Sequence, residues 1–269
     1  MNPDVVRHLR CPVCRENLTA AGGALRCPRR HSFDIARHGY VDLSAGKLPH
    51  TGDTPAMVAA RDAFLRNGHY RFVSDALAEA VRGREGLAVD VGAGTGYHLD
   101  AVLRANPYLV GLALDASKPA LRRAARAHPR AAAALCDVWR PLPLADGETA
   151  VLVDVFAPRN GPEFRRVLRP DGLLLVVTPE PDHLGALVEA LDLLRVDPAK
   201  EDRLAASLER HFAHVDRRTL RRDLRLDQDE VAAVVGMGPS AWHRDPATLT
   251  LPTPVTVTAA VRLDVYAPR

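Results

Sequence analysis

The stretch Leu87-Ala-Val-Asp-Val-Gly-Ala-Gly-Thr-Gly-Tyr97 decides the fold of this chain. An apolar run of strand length ends at Asp90, and a helical pattern begins after the third of the glycines that follow it, Gly92, Gly94 and Gly96. A strand, a glycine turn and a helix in this order form the first unit of a nucleotide-binding α/β sheet. The glycines allow the tight turn and, because they carry no Cβ, let the backbone touch a ligand.

The spacing of these glycines indicates the kind of ligand. A dinucleotide site has the pattern G-x-G-x-x-G, whereas here the third glycine comes one residue earlier and Tyr97 holds that position. The run resembles motif I of the class I S-adenosylmethionine methyltransferases, whose cofactor has no phosphate to cradle. A second apolar run ends at Asp115, about 20 residues further on, where an acid can hold a ribose diol. A lone glycine turn is usually only a turn, but together the two signals predict a cofactor site with these members: Asp90, Gly92, Gly94, Thr95, Gly96 and Asp115.

Composition limits the class of protein. The chain has 269 residues, enough for one or two domains, and 47% of them are hydrophobic. The net charge is +3, and only three of the 36 basic residues are lysine, so its cationic surface is arginine, which suits bidentate phosphate contacts. No apolar run approaches the ~20 residues of a membrane span, and residues 1–10 lack the apolar centre of a signal peptide. We expect a soluble cytoplasmic protein.

Residues 1–45 are predicted to be a small zinc-binding module. Cys11-Pro-Val-Cys14 is one C-x-x-C turn, and Cys27 with His31 forms a C-x3-H partner after a short spacer. Three thiolates and one imidazole make a closed tetrahedral zinc set, which is structural rather than catalytic. So short a segment cannot bury enough apolar surface to fold alone, and a metal would supply the missing stability. The alternative is two unrelated cysteine turns beside an incidental histidine.

The remaining sequence alternates strands with helices. Residues 46–70 are predicted to be a linker and a helix, and residues 71–269 a mostly parallel sheet with helices on both faces, an α/β fold of the Rossmann-like type. Asp53 or Thr54 could cap the helix that starts at Pro55, and Gly68 would end it. The long closing strand, Val255–Tyr266, is expected to lie antiparallel at the edge of the sheet.

The whole chain resembles one family. The N-terminal Cys-Pro-x-Cys and Cys-Pro-x-Arg-His patterns, His69-Tyr70, Phe156-Ala-Pro158, Thr178-Pro-x-Pro-x-His183 and Met237-Gly-Pro-Ser-Ala-Trp242 are similar to segments of the bacterial large-subunit rRNA guanine-N1 methyltransferases. The resemblance implies methyl transfer from S-adenosylmethionine to N1 of a guanine in a 23S rRNA loop. The tylosin- and mycinamicin-producer members favour a domain II hairpin in the peptide exit tunnel, nucleotide 748 over 745, and macrolide resistance.

The resemblance also implies residue roles. Tyr70, Gly94, Thr95 and His183 match positions that contact S-adenosylmethionine in the family, and Cys11, Cys14, Cys27 and His31 match the zinc ligands. In class I methyltransferases the acid at Asp115 holds the ribose and the residue at Asp137 often touches the adenine. The other reading makes Tyr70 a core aromatic and His183 a residue at a helix start on the surface.

Catalysis and RNA contact call for further residues. N1 of guanine carries a proton at neutral pH, and Asp154, at the end of the fourth strand, is the candidate acceptor by topology, or else a buried structural acid. Phe156 could stack on the target base or pack in the core. Predicted RNA contacts are Arg10, Arg29, Arg30, Phe156 and Trp242, although basic residues on the module could equally be solvated surface. A second basic group is Arg217, Arg218, Arg221, Arg222 and Arg225. A homodimer could widen the RNA cleft.

Two other functions fit parts of the sequence. A methyltransferase acting on a small molecule, such as an antibiotic scaffold, would share the cofactor site but would have no need of an arginine-edged zinc module. A non-enzymatic zinc RNA-binding protein with a decayed methyltransferase fold would share the module. The intact glycine turn and Asp115 argue against decay.

Overall fold

A computed structural model of the protein describes residues 1–48, 52–194, 206–242, 249 and 251–269. Within these residues a small three-stranded sheet precedes a central sheet of eight strands. The strands of the small sheet are β1 (Thr19–Ala21), β2 (Ala24–Arg26) and β3 (Ser32–Asp34). The strands of the central sheet are β4 (Tyr40–Asp42), β5 (Gly86–Val91), β6 (Leu109–Asp115), β7 (Ala131–Leu135), β8 (Thr149–Val155), β9 (Leu168–Pro179), β10 (Phe212–Leu226) and β11 (Val255–Pro268).

The central sheet has the strand order β4-β7-β6-β5-β8-β9-β11-β10. Every pairing from β4 to β9 is parallel, and β11 runs antiparallel to both of its neighbours. The carboxyl ends of the parallel strands therefore meet at one edge of the sheet. Strands β6 and β7 are added on one side of β5, and β8 and β9 on the other, so the strand order switches at β5. Ligands of open α/β sheets bind at such a switch point.

Helices cover both faces of this sheet, as the predicted α/β fold requires. They are α1 (Pro3–Val6), α2 (Pro55–Arg66), α3 (Arg71–Ala80), α4 (Tyr97–Ala105), α5 (Lys118–Ala124), α6 (Gly161–Val167), α7 (Gly185–Ala190) and α8 (Gln228–Gly236), with a 3₁₀ turn at Pro239–Trp242. Strands β7 and β5 are buried along nearly all their length because both faces are covered. One apolar cluster packs under α2 to α5, and a second lies under α1 and α6.

The last strand, β11, corrects one expectation. It is antiparallel as predicted, but it lies between β9 and β10, so the strand at this edge of the sheet is β10. Successive residues of β11 point to opposite faces of the sheet, and both faces are covered in its middle, because Ala259, Ala260, Val261 and Leu263 are all buried. By contrast, exposed residues of β10 (Arg217, Thr219 and Arg221) alternate with partly covered ones, the pattern of a strand with one open side.

Local signals place the start and end of α2 where the sequence predicts. Thr54, rather than Asp53, is the cap: its Oγ1 accepts a hydrogen bond of 3.2 Å from the backbone N–H of Met57. Gly68 follows the helix with φ +80°, a left-handed conformation that glycine adopts without strain. The segment before α2 and the residues after it are thereby fixed over the carboxyl edge of the sheet.

The N-terminal module packs against the central sheet and shares one strand with it. Gly22 and Gly23, both with positive φ, form the turn between β1 and β2. Residues Tyr40–Asp42, inside the range predicted for this module, form β4 and pair in parallel with β7 of the central sheet. Val5, Leu9 and Leu25 join the same apolar cluster as Leu112 and Leu114 of β6.

Among the residues described, no helix combines the length and the apolar character needed to cross a membrane.

Candidate active site

The predicted metal ligands lie together at the top of the small sheet. The two turns Cys11–Cys14 and Cys27–His31 place one donor atom of each of the four residues within 4.8 Å of the others. The distances are 3.7 Å between the Sγ atoms of Cys14 and Cys27, and 3.3 Å and 3.5 Å from Nδ1 of His31 to Sγ of Cys27 and of Cys11. Zn–S bonds of about 2.3 Å in a tetrahedron separate the ligand atoms by about 3.8 Å. The donor set therefore fits a four-coordinate zinc ion with no open position.

Polar contacts fasten this metal centre to the large domain. Arg15, which follows the first turn, donates hydrogen bonds of 2.7 Å and 2.8 Å to the carbonyl oxygens of Leu142 and Leu144. His8 Nδ1 lies 2.7 Å from Glu148, and Arg10 lies 3.4 Å from the same carboxylate. Glu148 precedes β8, so the module is held against the loop that leads into the strand.

The three arginines predicted to contact RNA differ in accessibility. Arg10 is turned inward: its side chain is 18% exposed and donates to the carbonyl oxygens of Arg7 and Leu9. An RNA contact is therefore not supported at Arg10, whose bonds anchor the module. Arg29 is 68% exposed, 3.7 Å from Glu16, and Arg30 is also exposed, so both remain available to a phosphate.

The glycine turn after β5 has the shape of a ligand cradle. Gly92, Gly94 and Gly96 have φ of +71°, +54° and +80°, which side chains rarely adopt. A Cβ on Gly92 would lie 2.5 Å from Cβ of Ala157, so no other residue fits there. Thr95 is buried in the turn. This backbone, left bare at the switch point of the sheet, fits a cofactor of the class I methyltransferase type.

Asp115 lies beside this turn, as predicted. Its Oδ2 accepts a hydrogen bond of 2.8 Å from the N–H of Gly94, and its Oδ1 accepts one of 2.7 Å from the N–H of Ser117. Burial raises the pKa of Asp115, and the two N–H donors oppose that rise. Each oxygen retains a further acceptor direction, so the carboxylate can take hydroxyl donors of a ribose while the backbone holds it still.

Asp90 and Asp154 lie below the surface of this crevice. Asp90 is 2% exposed, and burial, together with the neighbouring Asp154 and Asp115, raises its pKa well above the usual range. Asp154 is fully buried, with Oδ1 3.4 Å from Nε of the buried Arg159. This placement favours a structural part for both acids, so the proton-acceptor role of Asp154 stays a prediction.

Asp137 follows β7 at the same edge. Its side chain is 10% exposed, its Oδ1 accepts from the N–H of Trp139 at 3.0 Å, and its Oδ2 lies 3.6 Å from Nε of Arg140. Arg140 in turn donates to the carbonyl oxygens of Ser44 and Lys47, which ties this loop to the exit from the zinc module. A contact between Asp137 and adenine stays a prediction.

Three rings meet at the end of β8. The centroids of Tyr70, Phe156 and His183 are separated by 6.1, 5.9 and 6.1 Å, and the hydroxyl of Tyr70 lies 3.0 Å from Nε2 of His183. Burial lowers the pKa of His183, which favours neutral imidazole. Phe156 is 43% exposed and has φ +54°, a strained backbone for a residue with a side chain. The triangle therefore presents one partly exposed aromatic face, that of Phe156, at the end of β8.

Two site predictions have other outcomes. The backbone of Trp242 ends the 3₁₀ turn, but its side chain lies outside the described residues.

The second basic group is only partly paired. Arg217, Arg218 and Arg221 pair with Asp264, Asp216 and Asp182, whereas Arg222 and Arg225 make no ion pair with any described residue.

Sequence reasoning missed the polar residues that face the glycine turn from outside the sheet. Arg61 lies against Gly94 and pairs with Asp53, and its charge also acts on His98, although the three residues come from a loop and two separate helices. The sequence predicts Asp53 only as a candidate cap of α2, and it gives no role to Arg61. The Gly52-Asp53 dipeptide before a capped helix was the available signal, but nothing in its spacing shows which strand end the helix covers.

Comparison with known proteins agrees with this geometry. Residues 9–45 match the model of the RlmA N-terminal zinc ribbon. A Micromonospora griseorubida protein provisionally named a 23S rRNA (guanine-N1-)-methyltransferase is 60% identical over the full length of both chains. A Streptomyces fradiae protein named 23S rRNA (guanine(748)-N1)-methyltransferase is 53% identical over 93% of this chain and 91% of its own. The chain belongs to the 23S rRNA guanine-N1 methyltransferase family.

A solved structure supports the fold of this family member. The YcgJ protein of Bacillus subtilis aligns with a TM-score of 0.52, covering 74% of this chain and 98% of its own, at 15% identity. Family and fold together make the zinc ribbon and the class I methyltransferase sheet the two parts of the molecule, with zinc and S-adenosylmethionine as the matching cofactors.

Proposed function

We propose that this chain transfers a methyl group from S-adenosylmethionine to N1 of a guanine in 23S rRNA, and that the guanine is number 748. The observation that carries the proposal is the 53% identity, over nearly the whole chain, to the Streptomyces fradiae protein whose name specifies that atom and position. The crevice at the switch point, the aromatic triangle and the zinc ribbon supply the parts that such a reaction needs.

The cofactor part of the proposal rests on Asp115 and the glycine turn. Bound S-adenosylmethionine supplies an electrophilic methyl group. Asp115 orients the ribose through two hydroxyls, because its own oxygens are fixed by the N–H groups of Gly94 and Ser117. Most of the acceleration can then come from holding the acceptor nitrogen in line with the methyl group.

The target base is proposed to stack on Phe156, and the contacts of Tyr70 and His183 with S-adenosylmethionine stay predictions. Phe156, strained and partly exposed, gives a stacking surface, while Tyr70 and His183 form the buried wall behind it. A base in a loop can leave its stack at lower cost than one in a duplex, and aromatic faces compensate that cost. Asp154 remains the proposed acceptor for the N1 proton, on the condition that its contact with Arg159 opens when RNA is bound.

The RNA path is proposed to run from the zinc ribbon across the carboxyl edge of the sheet. Arg29 and Arg30 on the ribbon face solvent. An open cleft of about 420 Å³ is lined by His69 and Phe72, and its charged lining is Arg71, Arg222 and Arg225 together with Asp75 and Asp223. Arginine clusters that neutralise phosphates give binding that weakens steeply with salt.

One experiment tests both the atom and the position. Bare 23S rRNA is methylated with labelled S-adenosylmethionine and the full-length zinc-loaded protein, and reverse transcription is run across domain II. Because a methyl group on N1 blocks base pairing, the expected result is a stop at guanine 748. A transcript with adenine at 748 is the matched control. Label without a stop, a stop at another guanine, or no transfer to RNA would each contradict the proposal.

Three finer statements accompany this proposal. Methylation at guanine 748 would reduce macrolide binding in the exit tunnel, so a susceptible bacterium that expresses the chain should tolerate more tylosin. The enzyme would act in the cytoplasm, where the ribosome is assembled. A homodimer that widens the RNA cleft stays a prediction, testable by light scattering.

A further inference from the structure

The side chain of Arg61 lies against the glycine turn and not along its own helix. It projects from α2 onto the glycine turn, and a Cβ placed on Gly94 would lie 3.4 Å from both Cδ and Nη1 of Arg61. The N–H of the same glycine points to Asp115 at 2.8 Å. Gly94 therefore separates two charged side chains: the carboxylate proposed to hold the ribose, and a guanidinium beyond it.

The contacts of Arg61 fix its guanidinium group but leave some of its N–H groups for a ligand. Nη1 is paired with Asp53 Oδ2, and Nη2 donates a hydrogen bond of 2.9 Å to the carbonyl oxygen of Met237. A guanidinium has five N–H groups, and the part of the chain that the structure describes supplies these two acceptors. The side chains of Arg61 and Asp53 are 27% and 25% exposed, so a small ligand in the crevice can reach both.

Asp53 is itself fixed to the methyltransferase domain. Its carbonyl oxygen accepts a hydrogen bond of 2.7 Å from Oγ of Ser117, the residue whose N–H also binds Asp115. The preceding Gly52 approaches so closely that an added Cβ would lie 2.7 Å from the backbone nitrogen of Ser117. The pair of Asp53 and Arg61 is thus tied to the loop that carries the proposed ribose contact.

A partly exposed pair of opposite charges suits a ligand that carries both charges on adjacent atoms. The amino-acid end of S-adenosylmethionine has an α-carboxylate and an α-ammonium group. The ribose would lie at Asp115, and the amino-acid end would pass over Gly94, whose left-handed backbone, with φ +54°, carries no side chain. Arginine binds a carboxylate through two N–H groups at once, and aspartate accepts from an ammonium group.

We propose that Arg61 and Asp53 together bind the zwitterionic amino-acid end of the methyl donor, Arg61 taking the carboxylate and Asp53 the ammonium group; this assignment rests on the proposed function. It extends the site to the segment before the sheet, so that α2 forms a wall of the cofactor crevice. The other reading makes Arg61 a fastener that joins α2 to the end of α8 through Met237.

Ligand truncation distinguishes the two readings. The full-length zinc-loaded protein is titrated calorimetrically with three nucleosides: S-adenosylhomocysteine, its decarboxylated form, which keeps the amine, and 5′-methylthioadenosine, which lacks the amino-acid end. Arg61→Met should weaken S-adenosylhomocysteine about tenfold to a hundredfold and change the other two less than about threefold. Asp53→Asn should weaken the two amine-bearing ligands and spare methylthioadenosine. Arg66→Met, on the same helix with an exposed pair to Asp62, is the matched control and should change none.

The outcomes separate failure of this inference from failure of the proposed function. If Arg61→Met weakens S-adenosylhomocysteine and methylthioadenosine equally, the fastener reading holds and the inference is overturned. It is also overturned if the variant loses nothing, or if the wild type binds the two ligands with equal affinity. If the wild type binds none of the nucleosides but is folded by circular dichroism, the methyl-transfer proposal itself fails. Arg61→Lys, which keeps the charge but not the fork, should fall between wild type and Arg61→Met.

Discussion

The zinc ribbon and the central sheet reach order by different physical means. In the ribbon, β1 is exposed at every residue, and only two residues of β2 are buried. In the central sheet, β7 is buried at every residue. A module with so little apolar interior depends on four metal bonds, whereas the sheet depends on apolar packing. Because the two parts are stabilised differently, we expect RNA binding and cofactor binding to be lost separately, even though both parts share one apolar cluster.

The largest expected effect comes from the metal centre. Cys14→Ser removes one of four ligands, so the ribbon should lose zinc and its fixed turns. We expect methylation of 23S rRNA to fall at least about a hundredfold, while the affinity for S-adenosylhomocysteine falls less than about threefold because the glycine turn belongs to the other region. Zinc content, calorimetry and labelled methyl transfer measure the three quantities.

Cys136→Ser is the matched control for that variant. Cys136 is buried after β7 and is not among the clustered ligands. A Cys14→Ser protein that retains zinc-independent methylation, or that loses cofactor binding to the same degree as methylation, would break the distinction between the two regions.

Asp115→Ala should produce the converse pattern. Removing the carboxylate takes away the ribose contact and leaves the N–H groups of Gly94 and Ser117 without their acceptor. We expect S-adenosylhomocysteine binding to weaken about tenfold to a hundredfold, with RNA affinity unchanged in a filter-binding assay. An equal loss of RNA affinity would show that the variant has disturbed the fold as a whole.

The pH dependence of stability sharpens the comparison for the large region. Burial, assisted by the charge of Arg61, lowers the pKa of His98 from 6.5 to about 4. Below pH 6.5 the unfolded chain therefore binds a proton at His98 that the folded chain does not bind, and this favours unfolding. The contribution of neutral His98 to the unfolding free energy is complete above pH 6.5 and is lost as the pH falls toward 4. Between pH 7 and 5 the wild type should lose about 2 kcal/mol more unfolding free energy than His98→Asn, measured by urea denaturation of zinc-loaded proteins. If the unfolding free energies of the wild type and of His98→Asn change equally with pH, the prediction is wrong.

The smallest expected effect concerns the surface of the ribbon. Replacing Arg29 and Arg30 together by glutamine should weaken RNA binding a few-fold at physiological salt and reduce the slope of log affinity against log salt by about one to two. Arg66→Gln, on α2, is the control and should leave the slope unchanged. An unchanged slope in the double variant would place the phosphates elsewhere, with the cleft at Arg222 and Arg225 as the next region to examine.

The sequence carried enough information for most elements and for two clusters of residues, while the binding roles of those residues stay predictions. The glycine turn, the spaced acid at Asp115 and the C-x-x-C turns are local signals, because the residues that act together lie close in the chain or at the ends of consecutive strands. The structure accordingly brings Gly94 to Asp115 and Cys14 to Cys27. The Thr54 cap and the Gly68 ending of α2 are local in the same sense.

Features that depend on tertiary packing could not be predicted in this way. The place of β11 inside the sheet depends on which strand pairs with it, and alternation along one strand does not encode that. Arg10 looked like exposed basic surface, but Glu148, far along the chain, turns it inward. Asp154 was chosen by topology, and its burial beside Arg159 arises from packing around β8. Arg61 faces the glycine turn only because α2 folds back over the carboxyl edge.

Strand β4 has a consequence for anyone who divides this molecule. It pairs with Ala133 to Leu135 of the alanine-rich β7 and is contributed by the N-terminal module. A fragment that begins after residue 45 would carry a bare, uncharged row of main-chain donors and acceptors along β7, and such rows recruit other chains into aggregates. At the other edge of the sheet, the arginines of β10 discourage such pairing. Poor solubility of the fragment would therefore reflect a missing neighbour rather than a failure of the catalytic half to fold.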